Sequence, residues 1–324
     1  MNDMTGEPAP AVPCGEFEPA YLNLHRAGEL PARAEALWAM MGPCRLCPRE
    51  CGADRLRGER GFCRAPGTRL VVSSYGPHFG EERPLVGLNG SGTIFLSHCG
   101  LRCDFCQNWE ISIRGQGVEQ SIGELADMML WLQGAGCHNI NMVTPTHYAA
   151  HILKALDIAA ARGLALPLVW NTSGWERLEV LGLLDGVVDI YMPDFKFRDP
   201  DTAAKYACGA RSYPETTERA ILEMHRQVGP AQYAPGGIMR RGLIVRHLVL
   251  PGGAGDSESV MAWIAANLPQ DTFVNIMAQY HSEYRADAHP TLRRKITGAE
   301  YAAVVEAARH MGLSNLDARG QWLE

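Results

Sequence analysis

Ser97-His98-Cys99-Gly100-Leu101-Arg102-Cys103-Asp104-Phe105-Cys106-Gln107-Asn108 is the stretch on which the reading of this chain turns. It follows an apolar run, Thr93 to Leu96, of the kind that forms a buried strand. Cys99, Cys103 and Cys106 stand at C-x3-C-x2-C spacing, so three thiolates on one short loop can converge on a single cluster. Three thiolates are one short of the four that hold an ordinary [4Fe–4S] cluster, and one iron would then stay open. With His98 the ligand count would also suit zinc, and two of the thiols could pair as a disulfide.

Downstream of that loop the chain alternates. Helical patterns at Ile122–Leu132, Tyr148–Ala161, Trp175–Leu183, Ser257–Asn267 and Gly298–Met311 separate strand-like runs at His138–Val143, Ala165–Trp170, Val187–Met192, Leu243–Leu250 and Thr272–Met277. With Thr93–Leu96 this makes six strands in βαβ units, which predicts a parallel sheet. Each strand ends in polar or special residues: Thr144-Pro145-Thr146-His147, Asn171-Thr172-Ser173-Gly174, Met192-Pro193-Asp194-Phe195-Lys196, Arg246-His247 before Pro251, and Gln279-Tyr280-His281. In a parallel β/α barrel these ends share one mouth.

Upstream lies a second cysteine group, Cys44, Cys47, Cys51 and Cys63, with arginines 45, 49, 55, 57, 60, 64 and 69 interleaved. Four thiolates within 20 residues suit a structural zinc or an auxiliary iron–sulfur cluster. The arginines either offset a cluster's charge or form a solvated basic face. A helix is expected from Pro31, with Ala34, Leu37, Trp38 and Met41 on one face and Gly42-Pro43 at its end. The proline-rich start reads as a flexible lead-in (residues 1–30) that includes Cys14, followed by a cysteine-rich extension (31–75) and a barrel with a closing helix (76–324). Leu70–Ser74 is a short strand candidate. The loop after it carries His78, Glu81 and Glu82, suited to acid–base work or simply solvated. Cys137 reads as a core or bottom-face residue, and Cys208 as a buried small apolar group.

Composition narrows the classes. Acidic residues outnumber basic ones, for a net charge of −6, so no general attraction to nucleic acid is expected. No apolar run approaches the roughly 20 residues needed to span a membrane. Met1–Pro13 lacks the basic and apolar regions of a secretory signal. Ten cysteines, seven of them in two tight groups, point to metal ligation in a reducing compartment, and so to the cytoplasm.

The C-x3-C-x-aromatic-C loop after the first strand resembles the radical S-adenosylmethionine (SAM) superfamily, and the order of strand-end motifs is similar to the pyruvate formate-lyase-activating-enzyme-like group. The resemblance implies a partial (β/α)6 TIM-like barrel. It implies an oxidoreductase in which a [4Fe–4S] cluster on Cys99, Cys103 and Cys106 cleaves SAM to a 5′-deoxyadenosyl radical that abstracts a hydrogen atom. It places Phe105 against the adenine, and Thr172, Met192, Asp194, Lys196, Arg246 and His281 around SAM. Two positions depart from the family pattern. Asn171 stands where an aspartate is usual, and Thr144 to His147 replace Gly-Gly-Glu, so that Thr144 and Thr146 would accept from the SAM amine. The implied partners are SAM, an electron donor such as flavodoxin or ferredoxin, and a protein or peptide substrate, by analogy a backbone glycine of a glycyl-radical enzyme. A small-molecule substrate, an iron–sulfur electron carrier without SAM chemistry and a zinc-stabilised binding module are the alternatives.

Overall fold

The computed structural model describes residues 17–319. Residues 1–16, with Cys14 and most of the expected lead-in, lie outside them, as do residues 320–324. Among the described residues ten strands form one sheet: β1 (Leu70–His78), β2 (Ser91–Leu96), β3 (Val118–Gln120), β4 (Ile140–Val143), β5 (Leu168–Thr172), β6 (Ile190–Pro193), β7 (Gln232–Tyr233), β8 (Met239–Leu248), β9 (Phe273–Met277) and β10 (Leu316–Asp317). Their order is β10-β9-β8-β6-β5-β4-β2-β1-β3, with β7 beside β8. From β2 to β9 six strands run parallel in chain order. This is the expected partial barrel, open between β3 and β10. Three features go beyond the expectation. The strand β1 is longer and pairs antiparallel with both β2 and β3, β7 pairs antiparallel with β8, and β10 adds a seventh parallel strand.

Period-two alternation sorts the strands. Ile140, Met142, Leu168, Trp170, Tyr191, Leu243, Val245, Val274 and Ile276 join the large core under the helices. Val169, Ile190, Met192, Ile244 and Phe273 face the other way and form a second apolar cluster inside the barrel. Leu85 belongs to that inner cluster. It sits on a four-residue helical turn, Arg83–Val86, in the connection from β1 to β2. The connection therefore threads the barrel and fills its floor. Asn139 Nδ2 donates to the Leu85 carbonyl at 2.9 Å and holds it there.

Helix boundaries follow local chemistry. The helix Ile122–Gly134 opens with a capping box in which Ser121 Oγ accepts from Glu124 N at 3.2 Å and the Glu124 carboxylate accepts from Ser121 N at 2.6 Å. Thr297 and Glu300 do the same for Gly298–His310.

The front of the chain is packed where a lead-in was expected. Tyr21–Arg26 is a helix, Tyr21 is fully buried, its hydroxyl donates to the Leu166 carbonyl at 3.0 Å, and Ala20 N donates to Asp189 at 2.9 Å. The next helix, Glu29–Ala39, starts two residues before Pro31 and packs on helix Ala149–Ala161. The cysteine-rich segment behind it is bolted to the barrel by buried Arg55, whose guanidinium donates to the carbonyls of His147 (2.8 Å) and Pro66 (2.7 Å). Among the described residues no helix is long and apolar enough to cross a membrane.

Candidate active site

The ends of β4, β5, β6, β8 and β9 and the cysteine loop surround one cleft of about 240 Å³. Cys99, Cys103 and Cys106 line it together with Phe105, Thr144, Asn171, Thr172, Asp194, Lys196 and Arg246. The loop's turns explain the convergence. His98 (φ 74°) and Arg102 (φ 54°), the residues just before Cys99 and Cys103, both adopt left-handed backbone that swings the following cysteine inward. Arg49 fixes the loop by donating to the carbonyls of Gly100 (3.0 Å) and Leu101 (3.3 Å). Leu101 N donates to Cys99 Sγ at 3.4 Å, and Cys106 Sγ lies 3.1 Å from Ser112 Oγ. Burial pushes the Cys103 and Cys106 thiols up, with Lys196 acting against it. Buried thiols of this kind lose their protons when a metal takes them.

This donor set fits a cluster. Three thiols enter from one side of a cleft whose far wall carries no thiol, which leaves the remaining position to a ligand with oxygen or nitrogen donors. Among the described residues no three His, Cys, Asp or Glu side chains gather as they would around a single ion. In a cluster each thiolate takes a different iron, and the sulfurs stand farther apart than the roughly 3.7 Å implied by zinc–sulfur bonds of 2.3 Å. His98 does not join the thiols. It packs on Gly115, where a Cβ would lie 2.3 Å from its ring. Its pKa is pushed down to about 4 by burial and by Arg60, Arg102 and Arg55.

Opposite the thiols stands a charged triad. Asp194 Oδ1 accepts from Arg246 Nε at 2.9 Å and Oδ2 from Lys196 Nζ at 2.7 Å. Arg246 Nη2 also donates to Asn171 Oδ1 at 2.6 Å. Burial alone would raise the Asp194 carboxyl, but the two cations hold it below the usual carboxylate range. Below Arg246 lies Glu81, whose carboxylate comes within 3.8 Å of Nη1. Burial and the neighbouring Glu82 push Glu81 up to about 7. Glu82 is buried too and accepts from Asn275 at 2.8 Å. The paired glutamates are thus part of the barrel interior rather than a solvated loop. Thr144, at the end of β4, has φ 59°, a strained conformation for a β-branched residue.

Several expected residues sit elsewhere. Met192 is in the inner apolar cluster, one layer beneath Asp194, and does not line the cleft. His281 is exposed on the rim, its Nδ1 2.8 Å from Gln107 Nε2, and Gln107 and Gln279 reach the cleft instead. Thr146 lines a smaller side cavity with Cys47 and Cys99. Cys208 is exposed and left-handed (φ 52°), because it terminates a helix where a small apolar residue was expected inside. Cys137 is buried at the barrel base, against Gly92.

Two residues carry no strong sequence signal. Glu176 is fully buried, and its Oε1 accepts from Thr146 Oγ1 (2.6 Å), Thr172 Oγ1 (2.6 Å) and Trp170 Nε1 (3.2 Å), while Oε2 has no partner. Its neighbours Arg177 and Glu179 make it look like one more surface charge, so the sequence held no hint of its burial. The Tyr213 hydroxyl accepts from Lys196 N at 2.9 Å and lies 2.9 Å from the carbonyls of Ser173 and Asp194, stapling the ends of β5 and β6.

The front cysteines adjoin this site. Cys44 and Cys63 are buried, Cys47 is half-buried and Cys51 exposed. Cys47 Sγ lies 3.2 Å from where a Cβ on Gly100 would stand. Burial pushes the Cys47 thiol up to about 12, with Cys63, Cys44 and Cys51 adding to the effect.

No family model matches the chain. Two solved structures are similar at low level. One is TYW1 with a lysine-pyruvate adduct bound (TM-score 0.41, 10% identity, 67% of this chain and 73% of that one). The other is methylornithine synthase, PylB (TM-score 0.45, 14% identity, 93% of this chain and 82% of that one). Neither likeness is close enough to carry an argument. In sequence the chain is 32% identical over 280 residues to the uncharacterized protein MJ0674 of Methanocaldococcus jannaschii, covering 83% of this chain and 75% of that one. At that identity and coverage, the chain belongs to the same protein family as MJ0674.

Proposed function

We propose that this chain is a radical SAM enzyme whose cleft holds a [4Fe–4S] cluster on Cys99, Cys103 and Cys106. The observation that supports it best is the facing arrangement of three thiols and the Asp194–Lys196–Arg246 triad across one cleft. Bound there, the cluster and SAM would supply a 5′-deoxyadenosyl radical for hydrogen-atom abstraction. The chain's own part is to bind and orient. Lys196 and Arg246 offer donors to a ligand's carboxylate or hydroxyls. Thr144, Asn171 and Thr172 add short polar contacts, and Phe105, packed edge-on against Phe197 at 5.9 Å, gives a flat apolar wall. Resemblance to the activating-enzyme-like group favours a protein or peptide backbone as substrate. Cys44, Cys47, Cys51 and Cys63 would hold a second metal centre; they too do not gather as they would around a single ion, which favours an auxiliary cluster over a zinc.

The test is anaerobic reconstitution with iron and sulfide, then EPR of the reduced protein with and without SAM. A [4Fe–4S]+ signal that shifts with SAM and is lost when Cys99, Cys103 and Cys106 become Ala is expected. Metal remaining in that triple variant reports on the front cysteines. A signal indifferent to SAM, with no 5′-deoxyadenosine formed, would leave an electron carrier in its place.

A further inference from the structure

Between residues 45 and 64 six arginines meet only three acids, in a chain whose net charge is −6. Of these arginines, Arg60 and Arg64 are exposed and have no acidic partner among the described residues. Arg60 donates to the Arg64 carbonyl at 3.1 Å. Between them Phe62 stands 37% exposed, with the guanidinium of Arg49 4.1 Å and that of Arg102 5.8 Å from its ring centre. Arg114, also exposed, covers Trp109 at 4.1 Å and adjoins Gly115, on which His98 packs. Of the nearby acids, Glu59 accepts from Asp54 N at 2.8 Å, and Glu110 is exposed on the short helix behind Arg114.

This surface lies over the front cysteines, which adjoin the cleft loop. A Cβ on Gly61, between Arg60 and Phe62, would meet Cys51 Sγ at 2.4 Å, and Cys47 Sγ abuts Gly100 of the cleft loop. Arg49 spans the distance, with its ring contact on Phe62 and its hydrogen bonds on the Gly100 and Leu101 carbonyls. An aromatic anchor ringed by arginines is the composition of a protein-binding patch. Unpaired cations on a net-acidic molecule steer an acidic partner to one orientation.

We propose that this arginine face, centred on Phe62, is where an acidic one-electron carrier protein docks to reduce the cluster in the cleft. The inference rests on the reading that the cleft cysteines hold a reducible cluster. The step is a single electron transfer: the reduced carrier loses one electron, the cysteine-held cluster gains it, and no bond or proton moves.

The experiment is anaerobic stopped-flow reduction of the reconstituted protein by reduced plant-type [2Fe–2S] ferredoxin. Native protein is compared with the double variant Arg60→Glu, Arg64→Glu, and with Arg219→Glu, Arg309→Glu as a control of equal charge on two helices elsewhere. At low salt the first variant should be reduced about tenfold or more slowly, converging on the native rate at high salt, while the control stays near native. Dithionite should reduce all three alike. Calorimetry with oxidised ferredoxin should show the same loss of binding without any electron transfer. Reduction of the first variant at the native rate in low salt would overturn the docking face alone. So would tighter binding of single-stranded RNA than of ferredoxin by the same arginines. Failure of dithionite to reduce any of the proteins would overturn the cluster reading, and the docking face with it.

Discussion

Asp194 and Arg246 meet across the neighbouring parallel strands β6 and β8, with Oδ1 and Nε 2.9 Å apart at the level of the cleft. Lys196 occupies the other carboxylate oxygen, so Asp194 bridges two cations, with Glu81 behind Arg246. The local excess of positive charge faces the thiols, where a ligand's carboxylate would complete it. Asp194→Asn leaves Lys196 buried without its counter-charge and Arg246 with only Glu81 and Glu82 behind it. The expected cost is about 3–5 kcal/mol of stability, read as a drop in the urea midpoint. A native-like midpoint in that variant would show that the triad does not hold the strand ends together.

Glu81 gives stability an opposite dependence on pH from an ordinary acid. Its folded value is about 7, against roughly 4.3 in an unfolded chain. Between those values the native state binds more protons than the unfolded one. Its contribution is therefore complete below about pH 4.3 and is lost as pH rises through about 7. Glu81→Gln should flatten the decline in unfolding free energy between pH 5 and 7.5. Asp189, also pushed up to about 7 by burial, should leave a residual slope of the same sign.

Gly174 and Gly182 make a matched pair. A Cβ at Gly174, where φ is 80°, would stand 2.3 Å from the Asp194 carbonyl oxygen, whereas one at Gly182 meets nothing within 4 Å. Gly174→Ala should cost about 1–3 kcal/mol and weaken SAM binding by displacing the end of β6. Gly182→Ala, inside helix Leu178–Leu184, should be neutral or stabilise by up to about 1 kcal/mol. Thermal unfolding and calorimetric SAM titration of both variants distinguish site distortion from general fragility.

Removing Glu176 orphans three buried donors at once. Glu176→Ala should destabilise by several kcal/mol, at about 1–3 kcal/mol per unpartnered group. Glu176→Gln keeps an acceptor oxygen and should recover most of the loss. Equal midpoints for the Ala and Gln variants would mean that the hydrogen bonds of Thr146 and Thr172 contribute little.

His281 and Phe105 should separate cleanly. His281→Ala, on the rim, is expected to change SAM affinity by less than about threefold, an effect below 1 kcal/mol. Phe105→Ala removes a cleft wall that is 4% exposed and should weaken SAM binding at least tenfold. Titration of the reconstituted variants measures both, and a larger loss for His281 would move the ligand outward to the rim.

Much of this was legible in the chain. The six parallel strands announce themselves because each is a short apolar run between helical patterns, and the cysteine loop because its spacing is tight. What escaped has physical causes. Period two tells which side of a strand a residue faces but not its depth, so Met192 and Asp194 share a side while only Asp194 reaches the cleft. The Glu81-Glu82 loop looks solvated because its residues are polar, and only the path of the chain through the barrel buries it. His281 lies four residues past the end of β9, where strand periodicity no longer fixes direction. The second helix begins at Glu29, because Pro31 is tolerated within a first turn that needs no backbone donor there.

The turn carrying Leu85, lodged among Val169, Ile190 and Phe273, has one more consequence. With the base stoppered, the cleft is not entered through the barrel floor. A molecule resting against Asp194 and Arg246 comes in from the strand-end side, and a bulky second substrate seated above it would cover the first.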